Sequence, residues 1–298
     1  MKKESLGSRI FDVFNIMIMV FILVVVLYPI LNIVATSLSG GRYVSSGSVS
    51  VWPKGLTLDA YKYIFKDVFI YKGYMNSIIY AIGSTGIMLL FTSMMAYPLT
   101  VQGFIGKKFI TVFLTITMFF GGGLIPTYLL IRNLGMIDTL WVMILPGAVG
   151  AYNVFLFRTF FSNIPSELKE AAYIDGANEF VVLSKVIFPL SKPLLATFAL
   201  FGIVGSWNAW FEALIYLQDQ GKYPLQMILR NYLFTLDNNE IQGRVGAANV
   251  AINGPGNKLD PQAIRMAIIV ITMFPIMCIY PFFQKYFTKG MFVGSIKG

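Results

Sequence analysis

The chain contains no histidine, a single cysteine (Cys278) and few charges: only 12% of its 298 residues are Asp, Glu, Lys or Arg. Without histidine there is no Ser-His-Asp triad, no Cys-His dyad and no imidazole metal ligand. One cysteine closes no internal disulfide and builds no thiolate cluster. Most familiar enzyme chemistry is thereby excluded, and no metal site is expected. The charge fraction is about half that of an ordinary soluble domain, whereas 56% of the residues are hydrophobic and the mean hydropathy is +0.69. The 23 Lys and Arg outnumber the 14 Asp and Glu, for a formal net charge of +9. In a soluble chain that excess would point to nucleic acid. Here the charges flank long apolar runs, the pattern of a chain anchored in a membrane.

A helix needs about 20 apolar residues to cross the hydrocarbon core of a bilayer. Charge-free windows of about that length predict six spans, near residues 11–37, 74–99, 109–131, 139–158, 193–212 and 265–286. The expected fold class is an all-α polytopic membrane protein, with residues 1–298 forming one transmembrane domain. The first run continues past Pro29 and lacks a small-residue cleavage site, so it reads as a retained span and not a signal peptide. Pro29, Pro98, Pro126 and Pro275 are expected at kinks or span ends.

An even number of spans places both termini on one side. Lys2, Lys3 and Arg9 precede the first span, Lys107 and Lys108 join the second to the third, and Lys285, Lys289 and Lys297 follow the last. Basic residues in short segments mark the cytoplasmic side, so both termini are expected there. The link carrying Arg132 and Asp138 then faces outward. So does residues 212–265, whose Gly243, Gly246, Gly254, Pro255 and Gly256 predict an irregular surface loop.

Residues 162–192 are too polar to span and too poor in glycine to be a simple linker. Ser166 is placed to cap a helix over 167–175, with Glu167 at the positive end of its dipole. Gly176 is suited to end that helix in the left-handed conformation. A second helix is expected over about 179–186, stopping before Pro189, which lacks an amide donor. Ala171 and Ala172, flanked by Leu168, Tyr173 and Ile174, let the first helix approach a partner closely. From the residues alone, a lipid surface and a protein partner fit that helix equally.

The run Glu170-Ala171-Ala172-Tyr173-Ile174-Asp175-Gly176-Ala177, followed by Val186-Ile187-Phe188-Pro189, resembles the EAA loop of ABC importer permeases. That motif has Glu-Ala-Ala, three residues, Gly, nine residues, then Ile, any residue, Leu and Pro. Val186 and Phe188 stand where Ile and Leu are usual and remain apolar. The tail Lys289-Gly290-Met291 with Gly294-Ser295-Ile296-Lys297-Gly298 is similar to the maltose-type sugar branch. Ser206-Trp207-Asn208-Ala209-Trp210-Phe211 and Lys222-Tyr223-Pro224-Leu225-Gln226 look like the LplC-like oligosaccharide permeases within it.

The resemblance covers nearly the whole chain. It implies the type I ABC importer permease fold, in the prokaryotic cell membrane. Residues 162–192 would be the cytoplasmic coupling loop, with Glu170, Ala171, Ala172, Asp175 and Gly176 as the ATPase-coupling residues. The implied partners are a second, non-identical permease, a cytoplasmic ATPase dimer, an extracytoplasmic solute-binding protein and a sugar. No cofactor is expected on this chain. ATP and Mg would sit on the ATPase, since Gly103-Phe104-Ile105-Gly106-Lys107-Lys108 lacks the spacing and ending of a phosphate-binding loop and reads as a basic turn.

Sugars stack on aromatic faces and satisfy their hydroxyls with amides and carboxylates. Trp207, Asn208, Trp210 and Glu212 at the end of the fifth window are candidates for the substrate pathway. So are Tyr152 and Asn153 in the fourth. The competing reading puts Trp207 and Trp210 in the interfacial aromatic belt and gives Asn153 a helix-to-helix hydrogen bond. Gly121-Gly122-Gly123 with Pro126 should weaken the third window, allowing a bend or exposing carbonyls to a pathway. The alternatives are the same architecture with another cargo, such as an amino acid, polyamine or phosphate, and an intramembrane enzyme. The latter is disfavoured because no carboxylate or lysine lies between the charged residues that bound the windows, such as Asp12, Glu212 and Lys285, and the chain has no histidine.

Overall fold

The computed structural model describes residues 6–235 and 259–294, and the described residues are helices and turns without strands. The glycine-rich outer segment with Gly243, Gly246, Gly254, Pro255 and Gly256 lies outside them, as do Lys2, Lys3 and Lys297. Among the described residues, three helical segments are long and apolar enough to cross a membrane: Gly7–Ser37, Val68–Thr100 and Pro261–Phe282. Two bent pairs, Lys107–Phe119 with Leu124–Asn133 at 119° and Glu179–Leu190 with Lys192–Trp207 at 82°, qualify if each is taken as one span.

The helices run in chain order as α1 (Leu6–Ser37), α2 (Gly41–Ser45), α3 (Asp59–Ile64), α4 (Val68–Ala96), α5 (Lys107–Phe119), α6 (Leu124–Asn133) and α7 (Ala151–Ser162). There follow α8 (Ser166–Ile174), α9 (Glu179–Val182), α10 (Phe188–Leu190), α11 (Lys192–Trp207), α12 (Phe211–Tyr216), α13 (Leu225–Thr235) and α14 (Pro261–Gly294).

Local sequence explains the breaks. Between α5 and α6 lie Phe120 and the three glycines, with Gly123 at φ +82, so the third window bends where glycine replaces helix-forming residues. Pro126 then falls in the first turn of α6, where its missing amide has no intrahelical partner to lose. The fourth window, 139–158, departs from the expected continuous helix. It holds a 3₁₀ turn at Leu140–Met143, an irregular stretch through Pro146, Gly147 and Gly150, and then the 12-residue α7. Proline disfavours helical geometry at the residue before it, and two glycines add a large entropic cost to helix formation. At about 1.5 Å per residue, α7 is roughly 18 Å long, short of the ~30 Å core.

Contacts divide the chain into two compact units. The first is drawn from the described residues of Met1–Val68 and Leu229–Phe274. In it Ile64, Ile264 and Ile268 are fully buried, Ser37 Oγ meets the Tyr61 hydroxyl at 2.8 Å, and the Tyr232 hydroxyl donates to Asp67 Oδ2 at 2.8 Å. Residues 7–28 of α1 are exposed on every side, as a helix apolar all round is where it faces lipid or another chain.

The second unit is drawn from Phe69–Ile228 and Pro275–Gly298. Its core forms where α7 presents Val154, Phe157 and Phe161, at helical spacings of three and four, to Leu99, Leu114, Val182, Ile187 and Phe198. The Phe157 and Phe198 rings meet edge to face, 4.9 Å between centroids. A second cluster joins Tyr80, Ile131, Val142 and Ile144 to Ala213, Tyr216 and Met227.

Candidate functional site

The helix α8 has no buried residue, although it lies between elements that are firmly packed. Its start differs from the expectation: Ser166 is the first helical residue, Pro165 precedes it, and no side chain caps the free amides. Its end agrees with it. Gly176 takes φ +79, the Gly176 N–H donates to Tyr173 O at 3.0 Å, and the Ala177 N–H donates to Ala172 O at 2.9 Å. That pair of bonds is the Schellman closure, which only glycine enters without a side-chain penalty. Asn178 then caps α9, its Oδ1 accepting from the Val181 N–H at 3.0 Å. Glu170, Ala171, Asp175 and Gly176 are exposed together, with Ala172 half-buried beneath them.

The chain does not stop at Pro189. A π-turn over Leu183–Ile187 widens the backbone before α10, and helical geometry continues to Leu190. The wider turn accommodates a proline ring that would collide with a carbonyl of a regular α-helix. The chain then turns by 82° into α11.

A polar knot fastens this loop to the end of α4. The Tyr97 hydroxyl donates to Glu179 Oε2 at 2.6 Å and the Tyr173 hydroxyl donates to the same oxygen at 2.9 Å. Burial pushes the Tyr173 phenol up from its ordinary value; the neighbouring Tyr97 hydroxyl lowers it in part, and the bond to Glu179 raises it. Burial pushes the Lys169 ammonium down, partly offset by Glu179. The loop is therefore held from beneath while its Glu170–Gly176 surface stays free.

In the same unit a cavity of about 420 Å³ opens between α4, α11 and the 142–147 stretch. Ser84, Thr85, Gly202, Gly205, Ser206 and Glu212 line it, with Met88 and Ile144 among the apolar walls. Thr85 is 5% exposed, yet its hydroxyl has no hydrogen-bond partner among the described residues. Ser84 and Ser93 on the same helix instead bond the carbonyl four residues back, each at 2.6 Å. Gly202 allows the helices to meet: a Cβ there would lie 2.8 Å from Thr85 Oγ1 and 3.0 Å from Met88 Cε.

Toward the far end of α4, residues 216–225 are clamped on two sides. Asp138, in the left-handed region at φ 56, accepts from the Gln218 and Asp219 N–H groups at 2.9 and 3.1 Å. Lys222 Nζ donates to Asp138 Oδ2 at 2.7 Å and to Asp138 O at 2.6 Å. On α4, Asn76 donates to Gly221 O, the Tyr80 hydroxyl to Lys222 O, and Ser77 Oγ accepts from the Leu225 N–H. The Lys222 ammonium, then the Asp219 and Gln218 amides, lower the Asp138 carboxyl to about 2.

A family model described as "Binding-protein-dependent transport system inner membrane component" matches residues 1–293. The chain belongs to this family. It is 40% identical over 293 residues to protein LplC of Bacillus subtilis (strain 168), covering 98% of this chain and 96% of LplC. It is 36% identical to the polygalacturonan/rhamnogalacturonan transport system permease protein YtcP of the same organism, covering 98% and 99%. A chain in the crystal structure of a bacterial ABC transporter involved in the import of the acidic polysaccharide alginate superposes with a TM-score of 0.88 at 32% identity. That match covers 96% of this chain and 100% of the other.

In this membrane permease the sequence candidates separate into two groups. Glu170, Ala171, Ala172, Asp175 and Gly176 share one short helix and its closing turn. The substrate-pathway candidates do not share one place. Trp207 is 2% exposed and packs on Tyr74 with centroids 6.1 Å apart. Asn208 donates to Val204 O and accepts from Gln226 Nε2. Trp210 meets Phe211 edge to face. Tyr152 and Asn153 open α7, and Asn153 makes no side-chain hydrogen bond among the described residues, so the helix-to-helix bond of the competing reading is not found there. Glu212 alone of the six lines the cavity. Thr85, Ser84, Tyr97 and Glu179 were not singled out from the sequence. Besides Glu212, the trace of the cavity there is the small-residue pair Gly202 and Gly205 followed by Ser206.

Proposed function

We propose that the chain is one of two non-identical permease subunits of an ATP-driven oligosaccharide importer in a prokaryotic cytoplasmic membrane, with no enzymatic activity of its own. Six spans, the fourth crossing as the 3₁₀ turn, the irregular stretch and α7 together, place both termini in the cytoplasm, and residues 162–192 form the coupling loop on that side. The helix α8 docks in a cleft of a cytoplasmic ATPase dimer. Glu170 makes the polar contact, Ala171 and Ala172 permit close approach, and Asp175 and Gly176 shape the turn. No cofactor belongs to this chain, and ATP and Mg are bound by the ATPase. An extracytoplasmic solute-binding protein delivers the sugar. The cavity beside Thr85, Ser206 and Glu212 lies on the sugar's route, where Glu212 and the hydroxyls exchange hydrogen bonds with sugar hydroxyls.

The observation that carries this reading is the mounting of α8: it has no buried residue, is closed by Gly176 and is fastened to α4 through Tyr97 and Glu179. An element so placed transmits a push on its exposed face to a membrane-crossing helix. The relatives' sugar cargoes support the choice of substrate class. The test is affinity purification of the tagged chain from its native membrane in mild detergent. A second polytopic permease and a Walker-motif ATPase should be recovered at stoichiometric level, the ATPase being lost when Glu170 and Gly176 are replaced by bulky residues. Recovery of the chain alone would overturn the proposal.

A further inference from the structure

At the end of the second unit that carries α8, an open cleft of about 910 Å³ lies between the start of α5 and α7. Three cations line it: Lys107 and Lys108 on α5, and Arg158 on α7. Neither an ion pair nor a side-chain hydrogen bond engages any of the three among the described residues. Three like charges facing one cleft repel one another. Such an arrangement is stabilised by an anion. Lys222, by contrast, is paired within the chain.

The rest of the cleft indicates which anion. Phe104, Phe109 and Val112 form its apolar wall. From it an exposed apolar stripe continues down α5 through Phe109, Val112, Phe113 and Ile116, at spacings of three and four. Phe109 is 75% exposed and lies parallel to Phe113 with centroids 6.4 Å apart. A basic head site continuous with an apolar helix face matches a ligand whose phosphodiester is joined to acyl chains. We infer that this cleft is a binding site for an anionic phospholipid. Lys107, Lys108 and Arg158 hold the headgroup phosphate, and the Phe109–Ile116 face of α5 receives a chain. Basic residues bordering a span attract acidic lipids in general. The cleft converts that diffuse attraction into a defined site, because two elements present cations to one cleft.

The test uses the full chain in its purified complex and native mass spectrometry with added phosphatidylglycerol or phosphatidylcholine. The wild-type complex should retain phosphatidylglycerol in preference to phosphatidylcholine. The Lys107→Gln/Lys108→Gln/Arg158→Gln variant should lose that preference, by about fivefold for each cation removed. Lys54→Gln/Lys62→Gln/Lys66→Gln, with the same loss of charge elsewhere, should keep it. Lys107→Arg/Lys108→Arg, which preserves charge, should also keep it and guards against misfolding. Equal lipid retention by the wild-type and the first variant would overturn the site. So would displacement of phosphatidylglycerol by millimolar inorganic phosphate, which would make the cleft a free-phosphate site. Loss of the second permease from the variant with lipid retention unchanged would assign the cleft to a subunit contact instead.

Discussion

The Tyr97 hydroxyl donates to Glu179 Oε2 across 2.6 Å, joining the last residue before the Pro98 turn to the first residue of α9, 82 positions along the chain. The second bond, from Tyr173, brings α8 into the same knot. A displacement of α8 therefore acts on α4 through polar contacts whose geometry tolerates little stretching.

Replacement of Tyr97 by Phe leaves the ring packed and removes the shorter of the two bonds to Glu179. A hydrogen bond to a charged acceptor contributes about 1.5 kcal/mol or more. Backbone amides over residues 166–187 should consequently exchange with deuterium several-fold faster. Glu179→Gln, which retains an acceptor oxygen, should have a smaller effect. Unchanged exchange in the Tyr97 variant would remove the knot from the account of the loop.

Gly176 tests the turn itself. Any residue with a Cβ pays roughly 1–2 kcal/mol in the left-handed region, and a branched one more, whereas Asn enters it comparatively readily. On the proposed docking of α8 in an ATPase, Gly176→Val should release that subunit from the purified complex, while Gly176→Asn should retain it. The space around the glycine is open, with nothing within 4 Å of an added Cβ. A uniform loss in both variants would therefore point away from backbone conformation.

Gly202 and Thr85 should behave as a coupled pair. Gly202→Ala places a methyl 2.8 Å from Thr85 Oγ1, and overpacking of this kind destabilises by about 1–3 kcal/mol. Thr85→Ala removes the opposing atoms. Thermal unfolding of the detergent-solubilised complex should show Gly202→Ala lowering the midpoint, and the double variant recovering much of the loss. Strict additivity would mean that the helices do not meet there.

A bulky side chain at Ser206 would project into the cavity without touching the loop at α8. Ser206→Leu should reduce ATP-driven sugar uptake into proteoliposomes by tenfold or more, while the partner subunits still co-purify. Full uptake by this variant would place the sugar's route elsewhere.

The Asp138 clamp has a definite pH dependence. Its carboxyl is lowered from 3.8 to about 2 in the folded chain. The stabilisation is therefore complete above the unfolded value and is lost as pH falls from about 4 through 2. Exchange over residues 216–224, corrected for its intrinsic pH dependence, should be constant from neutral pH to about 5 and rise below 4. Asp138→Asn should show the raised exchange already at neutral pH.

Local chemistry was legible in the amino-acid order. The hydropathy of the windows, the bend at the three glycines, the left-handed Gly176 and the short helix before it all depend on residues within a few positions of one another. Backbone propensity and turn chemistry act over that range. The π-turn that carries the helix through Pro189 was not legible, because a proline reads as a stop unless the preceding turn widens. Nor was the collapse of the fourth window into a 3₁₀ turn and a short helix, since apolar content alone does not separate an irregular packed segment from a spanning one.

What the sequence by itself determined is a membrane-embedded helical chain with an exposed Glu-Ala-Ala helix closed by glycine. Tertiary structure alone decided which distant groups meet. Tyr97 reaches Glu179, Asp138 reaches Lys222, Thr85 and Ser206 share a cavity with Glu212, and Lys107 and Lys108 face Arg158. Each of these depends on the rotation and register of one helix against another. Packing of whole surfaces sets that register, and no spacing along the chain encodes it.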